Sequence, residues 1–284
     1  EEPLLCPHSE WIQGLSNSQR VSITGFLVGI RHPTSRALKV IRNLSFSVKA
    51  GERRVILGPN GAGKTTLFHL LTGVETSSSG QISLAGQDIS RMDAVRRARI
   101  GIARSYQKNN LFENLTIREN LMLAAAAATG KSRWVFRDTI HQADIKARIE
   151  ETAEQVALTD QLDMMVSSVS YGNRRQLEVG LALATKPSLL MMDEPTSGVG
   201  PAMIDTFHHL LDTLPRDITI LIIEHDMDLA FSIADHITVL NFGEKVFEGT
   251  PDETRGNPTV RQIYLGSSKE GGSKEASGVS HAPA

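Results

Sequence analysis

Gly58, Gly63, Lys64 and Thr65 follow the order G-x-x-x-x-G-K-[ST] within Gly58-Pro59-Asn60-Gly61-Ala62-Gly63-Lys64-Thr65-Thr66. Those residue types at that spacing suit one kind of chemistry, the holding of a nucleotide's phosphates. A loop wrapped around phosphates must turn its backbone N–H groups inward, and glycine accepts the positive φ values and the close approach this requires. The helix that follows aims its positive end at the anion. Lys64 would bring a mobile positive charge to the outer phosphates, and the Thr65 hydroxyl would ligate magnesium. A glycine-rich loop with a surface lysine would spell the same letters. The context discriminates: apolar Val55-Ile56-Leu57 precede the loop and Leu67-Phe68-His69-Leu70-Leu71 follow it, giving the strand and helix the motif demands.

Two carboxylates follow a second apolar run, Leu189-Leu190-Met191-Met192-Asp193-Glu194. A buried strand ending this way places them at the carboxyl edge of a parallel sheet, where ligands of open α/β sheets bind. Asp193 would hold magnesium through water, and Glu194 would orient or deprotonate an attacking water. Alone, the pair reads as an acidic turn before Pro195; downstream of a phosphate loop it reads as chemistry. His225 follows a third apolar run, residues 219–223, and Glu224. A histidine at a strand end is ordinarily a satisfied polar group, but convergence on one sheet edge makes it a γ-phosphate contact. Gln107 would reach the magnesium ion or the water. Ser170 and Gly172, in Ser170-Tyr171-Gly172-Asn173-Arg174-Arg175-Gln176, open another helix and offer a hydroxyl and N–H groups to an anion. Either would also serve as an ordinary helix cap. Two anion sites exceed the needs of one subunit hydrolysing alone, so two copies are expected to share each nucleotide.

The elements that must position these groups follow from the pattern. Strands are expected at residues 21–28, at 44–48 and at the phosphate-loop run, with Gly73 ending the helix after the loop. Residues 81–84 read as a strand, 89–99 as a basic helix, 100–107 as a segment ending in a strand, and 116–128 as a helix. Ile145, Ile149, Ala153 and Val156 mark one stripe of a long amphipathic helix. Residues 88–182 are helix-rich between strand-rich flanks, the profile of a helical subdomain inserted into an α/β core. The runs at 189–192 and 218–223 suit parallel strands buried on both faces, joined by a helix over 201–214. A hairpin over 236–241 and 244–248 turns at Phe242-Gly243. Thr250-Pro251-Asp252-Glu253 opens a helix, and Asn257-Pro258 restarts it, burying Val260, Ile263 and Tyr264. Residues 1–20 read as an extension and 267–284 as a disordered tail without apolar residues to fold.

The chain has 284 residues, 40% hydrophobic and 22% charged, with a formal net charge of -2. That balance lacks the basic footprint of a nucleic-acid binder. The one cysteine, Cys6, excludes an internal disulfide and fits a reducing compartment. No apolar run approaches the roughly 18 residues of a membrane span, so any membrane link is expected to run through a partner.

In this order, these residues resemble an ATP-binding-cassette (ABC) ATPase. Residues 58–65 are similar to its Walker A loop, Gln107 to the Q-loop glutamine, and 189–193 to the Walker B strand. Glu194 resembles the catalytic glutamate, His225 the switch histidine, and Val169-Ser170-Tyr171-Gly172-Asn173 the signature sequence. The resemblance covers residues 21–266. It implies an α/β P-loop NTPase fold with a mainly parallel core sheet, an antiparallel β subdomain and an inserted helical subdomain. It implies ATP and Mg2+ as cofactors, and two cassettes, identical or related, pairing head to tail around two ATPs. Two membrane permease subunits would dock near Gln107 and residues 108–120 through a coupling helix, with Phe112 and Leu115 either in that contact or packed internally. A periplasmic binding protein would be an indirect partner, and the chain would sit peripherally at the cytoplasmic face of the inner membrane.

Finer features, Phe112-Glu113-Asn114-Leu115-Thr116 continuing to Leu121, Tyr171-Gly172, Glu248-Gly249-Thr250-Pro251, Asn257-Pro258 and Tyr264-Leu265-Gly266, resemble importers of branched-chain amino acids, urea or short-chain amides. A lipid or lipopolysaccharide exporter shares the single-cassette layout. Soluble cassettes acting on ribosomes or chromosomes usually carry two cassettes or a long coiled coil, and neither occurs here. Two departures stand out. Arg31-His32-Pro33-Thr34-Ser35 holds no aromatic residue where family members often stack adenine, and Ser197-Gly198-Val199-Gly200 lacks the aspartate that usually ends the D-loop.

Overall fold

Three strands without an exposed residue set the architecture: β3 (Arg53–Leu57), β7 (Leu189–Asp193) and β8 (Thr219–Ile223), numbered in chain order. Strands covered on both faces belong in the middle of a parallel sheet. The computed structural model, which describes residues 20–30, 38–105, 111–128, 139–197 and 201–267, places them there. With β6 (Ile102–Ser105), β9 (His236–Asn241) and β10 (Glu244–Gly249) they form a six-stranded sheet, order β10-β9-β3-β8-β7-β6. Every pairing is parallel except β10 with β9. The side-chain period of two divides the apolar residues between two cores. Val55, Leu57, Leu190, Met192, Ile220 and Ile222 face one, while Ile56, Leu189, Met191, Leu221 and Ile223 face the other.

A second sheet is antiparallel, order β2-β1-β4-β5, built from β1 (Arg20–Ile30), β2 (Leu38–Lys49), β4 (Ser79–Leu84) and β5 (Gln87–Asp88). Leu44, Phe46 and Val48 alternate inward from β2, as their spacing predicts. Between the sheets lies α1 (Lys64–Thr72), whose Leu67, Phe68, Leu70 and Leu71 are all buried. A helix covered by sheets on more than one side needs apolar residues around more of its girth than a single stripe.

On the opposite core face pack α3 (Ile117–Ala128), α4 (Thr139–Gln155) and α5 (Tyr171–Leu183). The stripe Ile145, Ile149, Ala153, Val156 is buried there with Leu121, Ala125 and Leu177. Within residues 88–182 one strand, β6, pairs in register with β7 and so belongs to the core sheet. After β7 come α6 (Pro201–Thr213), α7 (Met227–Ile233), α8 (Pro251–Gly256) and α9 (Pro258–Ser267). Thr250 and Glu253 form a reciprocal capping box on α8. Val260 of α9 is buried and Ile263 and Tyr264 are half-buried. The β9–β10 hairpin turns through Phe242 (φ 46°) and Gly243 (φ 79°), the paired positive φ values of a tight hairpin. Among the described residues no helix is long and apolar enough to cross a membrane. The expectations for residues 1–19 and 268–284 lie outside the described residues.

Two elements, β5 and α7, have no counterpart in the sequence pattern, and two more start away from where it puts them. The basic helix, expected from residue 89, is α2 (Ala94–Arg99). Asp93 caps it by accepting the Arg96 N–H at 2.8 Å, and Ile89 N–H instead donates to the Ile82 carbonyl of β4 at 2.9 Å. β2 begins at Leu38, six residues before the clean alternation that identified it.

The last turn of α1 ends on a buried cation. Arg97 of α2 is 1% exposed and donates to the carbonyls of Leu70, Leu71 (2.8 Å) and Met92 (2.9 Å). The Leu70 carbonyl also accepts the N–H of the capping Gly73 at 3.3 Å, and Arg97 adds donors to it and to Leu71 where water would otherwise serve the helix end. Arg97→Met keeps the volume and removes the donors, and is expected to cost about 3 kcal/mol. Urea denaturation checks this, and a loss below about 1 kcal/mol, the size of an ordinary surface change, would mean that water satisfies the carbonyls.

Candidate functional site

The loop at the end of β3 is shaped by its neighbours. A Cβ on Gly58 would lie 2.4 Å from the Leu240 carbonyl oxygen of β9, so only glycine lets the loop leave the sheet this close to β9. Gly63, at φ 98°, takes the left-handed conformation at the start of α1. The β9–β10 turn fastens the outside of the loop: Gly243 N–H donates to the Ala62 carbonyl at 3.0 Å, and the Gly243 carbonyl accepts from Arg42 of β2 at 2.8 Å. From α9, Tyr264 comes close to the same loop: burial pushes its phenol up to about 12, and the Gly58 backbone acts in the opposite direction. Sequence reasoning had given Tyr264 a packing role only.

Lys64 folds back over the loop. Its Nζ donates to the carbonyls of Gly58 at 2.6 Å and Pro59 at 3.1 Å, and the residue is 6% exposed. Burial lowers its pKa, and the charges of Glu194, Asp193 and Glu224 act in the opposite direction. That electrostatic coupling brings together the pieces the sequence had separated. Asn60, Gly61 and Thr65 are exposed at the mouth of the loop, Pro59 and Thr66 are half-buried, and Ala62 is buried.

Asp193 ends β7, almost fully buried, and accepts from Arg104 Nη2 at 2.7 Å. Glu194 takes φ 45°, a conformation that costs a non-glycine residue roughly 1 kcal/mol or more. It is held by its N–H to the Ile223 carbonyl and by Ser197 N–H to its own carbonyl, both at 3.0 Å. His225 Nδ1 lies 3.7 Å from Glu194 Oε1 and 3.9 Å from Glu224 Oε2, with the imidazole 58% exposed. Glu194 and His225 are thus brought together, with Asp193 preceding Glu194 at the end of β7. Gln107 and residues 198–200 and 31–35 lie outside the described residues.

Glu224 and Arg104 are the groups sequence reasoning missed. Glu224 is fully buried; it accepts from Thr196 Oγ1 at 3.0 Å and His225 N–H at 3.3 Å, and its own N–H donates to Ile56 of β3 at 3.2 Å. Burial raises its pKa, partly offset by those hydrogen bonds. A carboxylate directly after four buried apolar residues, Ile220, Leu221, Ile222 and Ile223, was the available signal. Arg104 had none, because only the β6–β7 register brings it to Asp193.

Ser170 and Gly172 stand apart from this cluster, with no hydrogen bond or ion pair to it among the described residues. Ser170 is exposed and caps α5, accepting Asn173 N–H at 3.2 Å, and Gly172 is buried in the first turn. Arg175 and Glu178 form a buried pair at 2.7 Å behind them.

Two outcomes follow from this geometry. Gly58→Ala is expected to lower stability by at least about 2 kcal/mol or to displace the loop, since the clash is with backbone. Thermal unfolding with a nucleotide-binding titration reads both effects, and a variant normal in both would contradict the packing. For Glu224 the raised folded pKa means that its stabilising contribution is full below its unfolded value, about 4.3, and is lost as pH rises through the folded value. Glu224→Gln does not titrate, so its stability should gain on that of the natural chain between pH 4 and pH 8. Urea midpoints at both pH values check it; a gap independent of pH would mean that burial does not raise the folded pKa of Glu224.

Comparison with known proteins agrees with the geometry. The ABC transporter family model matches residues 41–197, more than half of the chain. The chain is 37% identical over 229 residues to the high-affinity branched-chain amino acid transport ATP-binding protein BraF of Pseudomonas aeruginosa, covering 78% of this chain and 90% of that one. It is 34% identical over 236 residues to LivG of Escherichia coli, a protein of the same description, covering 81% and 92%. Among solved structures, the ADP conformation of MJ1267, an ATP-binding cassette of an ABC transporter, superposes with a TM-score of 0.74 at 27% identity, covering 87% of this chain and 99% of that one. A phosphate loop, an acidic strand end and a strand-end histidine on one sheet edge, in a chain so matched, make this protein a member of the ABC transporter family, an ATP-binding cassette that hydrolyses ATP.

Proposed function

We propose that this chain energises an importer whose cargo is a branched-chain amino acid or a comparable small amide such as urea. The observation that carries the reading is the meeting of Lys64, Asp193, Glu194 and His225 at the carboxyl ends of three adjacent strands. In this reading the N–H groups of residues 58–66 and the Lys64 ammonium bind and neutralise the phosphates. The Thr65 hydroxyl and the Asp193 carboxylate are hard oxygen donors that suit magnesium, which would offset the phosphate charge as it develops. Glu194, 25% exposed, orients and deprotonates the attacking water, and His225 contacts the γ-phosphate. By its resemblance to the Q-loop glutamine, Gln107 would contact the metal or the water.

Ser170 and Gly172, at the N-terminal end of a thirteen-residue helix, serve the nucleotide held by a second cassette. That second cassette is a copy of this chain or a related one, and the pair drives two permease subunits supplied by a periplasmic binding protein. The chain would lie peripherally at the cytoplasmic face of the inner membrane. Phe112, 59% exposed beside half-buried Leu115, supports a contact with the permease. The branched-chain cargo is supported by the descriptions of the BraF and LivG relatives.

Glu194→Gln should retain ATP binding, lose about 100-fold or more in turnover, and accumulate as an ATP-bound dimer. Phosphate release and size-exclusion chromatography with ATP measure these; normal turnover would remove Glu194 from its role. Lys64→Ala should weaken ATP binding by about 10-fold or more, and unchanged binding would discredit the phosphate-loop reading. Permease-like membrane proteins co-purifying with the chain support the transport role, whereas ribosomes or DNA would argue against it.

A further inference from the structure

Arg104 and Asp193 form an ion pair in which both side chains are nearly inaccessible, 9% and 4% exposed. The pair follows from strand geometry. Arg104 of β6 stands opposite Met191 of β7, and Asp193 lies two residues on, so all three project from the same face. That face is the one covered by α1, and the Arg104 guanidinium lies 5.6 Å from the centre of the Phe68 ring. Arg104 thus ties the strand-end carboxylate to the helix that follows the phosphate loop.

A cation here is not what packing alone would select. Neighbouring Ile102 and Ala103 on the same strand are buried apolar residues, and a buried ion pair is on average no more stabilising than apolar residues of equal volume. Its effect is on the carboxylate. Lys64, the other cation beside Asp193, is already committed to the Gly58 and Pro59 carbonyls. Arg104 occupies Asp193 Oδ2 and fixes the plane in which the carboxylate presents itself.

We propose that Arg104 is a positioning residue of the metal half of the site: its guanidinium is the resident counter-ion of Asp193, and it sets how strongly nucleotide affinity depends on magnesium. The proposal rests on Asp193 belonging to the magnesium site. Without the metal, Arg104 supplies positive charge close to where the phosphates lie. With the metal, the same charge opposes an ion drawn to the same carboxylate. Removing Arg104 therefore weakens metal-free nucleotide binding and strengthens the response to magnesium, and by reciprocity nucleotide tightens metal binding by the same larger factor.

The test is a titration of the full chain with a fluorescent ATP analogue, in EDTA and in excess Mg2+, for the natural chain, Arg104→Gln and Arg104→Lys. For Arg104→Gln the ratio of the two dissociation constants should rise about 10-fold, with the increase concentrated in the EDTA value. For Arg104→Lys, which keeps the charge but not the planar fork, the ratio should rise about two- to threefold. Mn2+ binding to the ADP complex, followed by electron paramagnetic resonance, should be tighter in Arg104→Gln than in the natural chain. An Arg104→Gln ratio equal to the natural one, in a chain that does respond to Mg2+, overturns the proposal while leaving the metal site intact. A natural chain whose affinity ignores Mg2+ sinks the assignment of Asp193, and this proposal with it. If Arg104→Gln does not fold, Arg104→Lys decides: a raised ratio supports the assignment and an unchanged one overturns it.

Discussion

The site depends on strand register in a sheet buried on both sides. Ile56 of β3 stands opposite Ile223 of β8, and Ile223 stands opposite Asp193 of β7. The three strands therefore run out of apolar residues within one residue of a common level, Met192, Ile223 and Leu57, and whatever follows each is delivered to one edge. Loop, acidic pair and histidine meet because their strands are in step. A slip of one residue would turn Asp193 to the other core and reverse every inward side chain behind it. The cross-strand apolar pairs that hold the register are thus also the devices that aim the polar groups.

Around that edge the protein concentrates charge where water is scarce. Lys64, Arg104, Asp193 and Glu224 are all buried or nearly so, with Glu194 partly open beside them. Unpaired, each would be costly. The answers differ in kind: carbonyl oxygens receive Lys64, a guanidinium receives Asp193, and a hydroxyl with a backbone N–H receives Glu224. The last arrangement links two segments. Glu224 precedes His225 and binds Thr196, two residues beyond Glu194, so a displacement of the histidine loop pulls on the turn that carries Glu194. That turn already holds a residue at φ 45°, which makes it a place where a small push changes side-chain direction.

Much of this was legible in the chain because burial and chemistry were adjacent in sequence. Lys64, Asp193 and His225 each follow an uninterrupted apolar run, so the strand and the polar group it carries are read in one stretch. The α8 start at Thr250 was legible for a similar reason, its cap, proline and glutamate lying within four residues. What escaped was long-range. Arg104 meets Asp193 across 89 positions, Tyr264 comes close to Gly58 from the far end of the cassette, and Arg97 caps a helix 26 and 27 residues upstream. None of these side chains differs locally from a surface arginine or a packing tyrosine. The start of α2 was misplaced because Ile89 fits a helical stripe as well as it fits the edge of the antiparallel sheet. Asp93 decides between them only once its side chain is seen to cap.

Magnitudes separate the roles of these charges. An exposed pair such as Arg118 and Asp163, with the acid 80% exposed, is screened by water and adds little to the fold. Arg97 is different, because it is itself buried and its donors replace water at the end of α1. Arg104 and Glu224 fit neither case. Buried ionic groups cost about as much to desolvate as they return, so the fold gains little from keeping them. Both touch groups at the carboxyl edge of the sheet, and both join segments that lie far apart in the chain. Under the proposed roles of Asp193, Glu194 and His225, the stability forgone is small beside the geometric definition gained, since a group misplaced by about 1 Å would lose more in catalysis than an ion pair contributes to folding. Their burial is accordingly a property of the site.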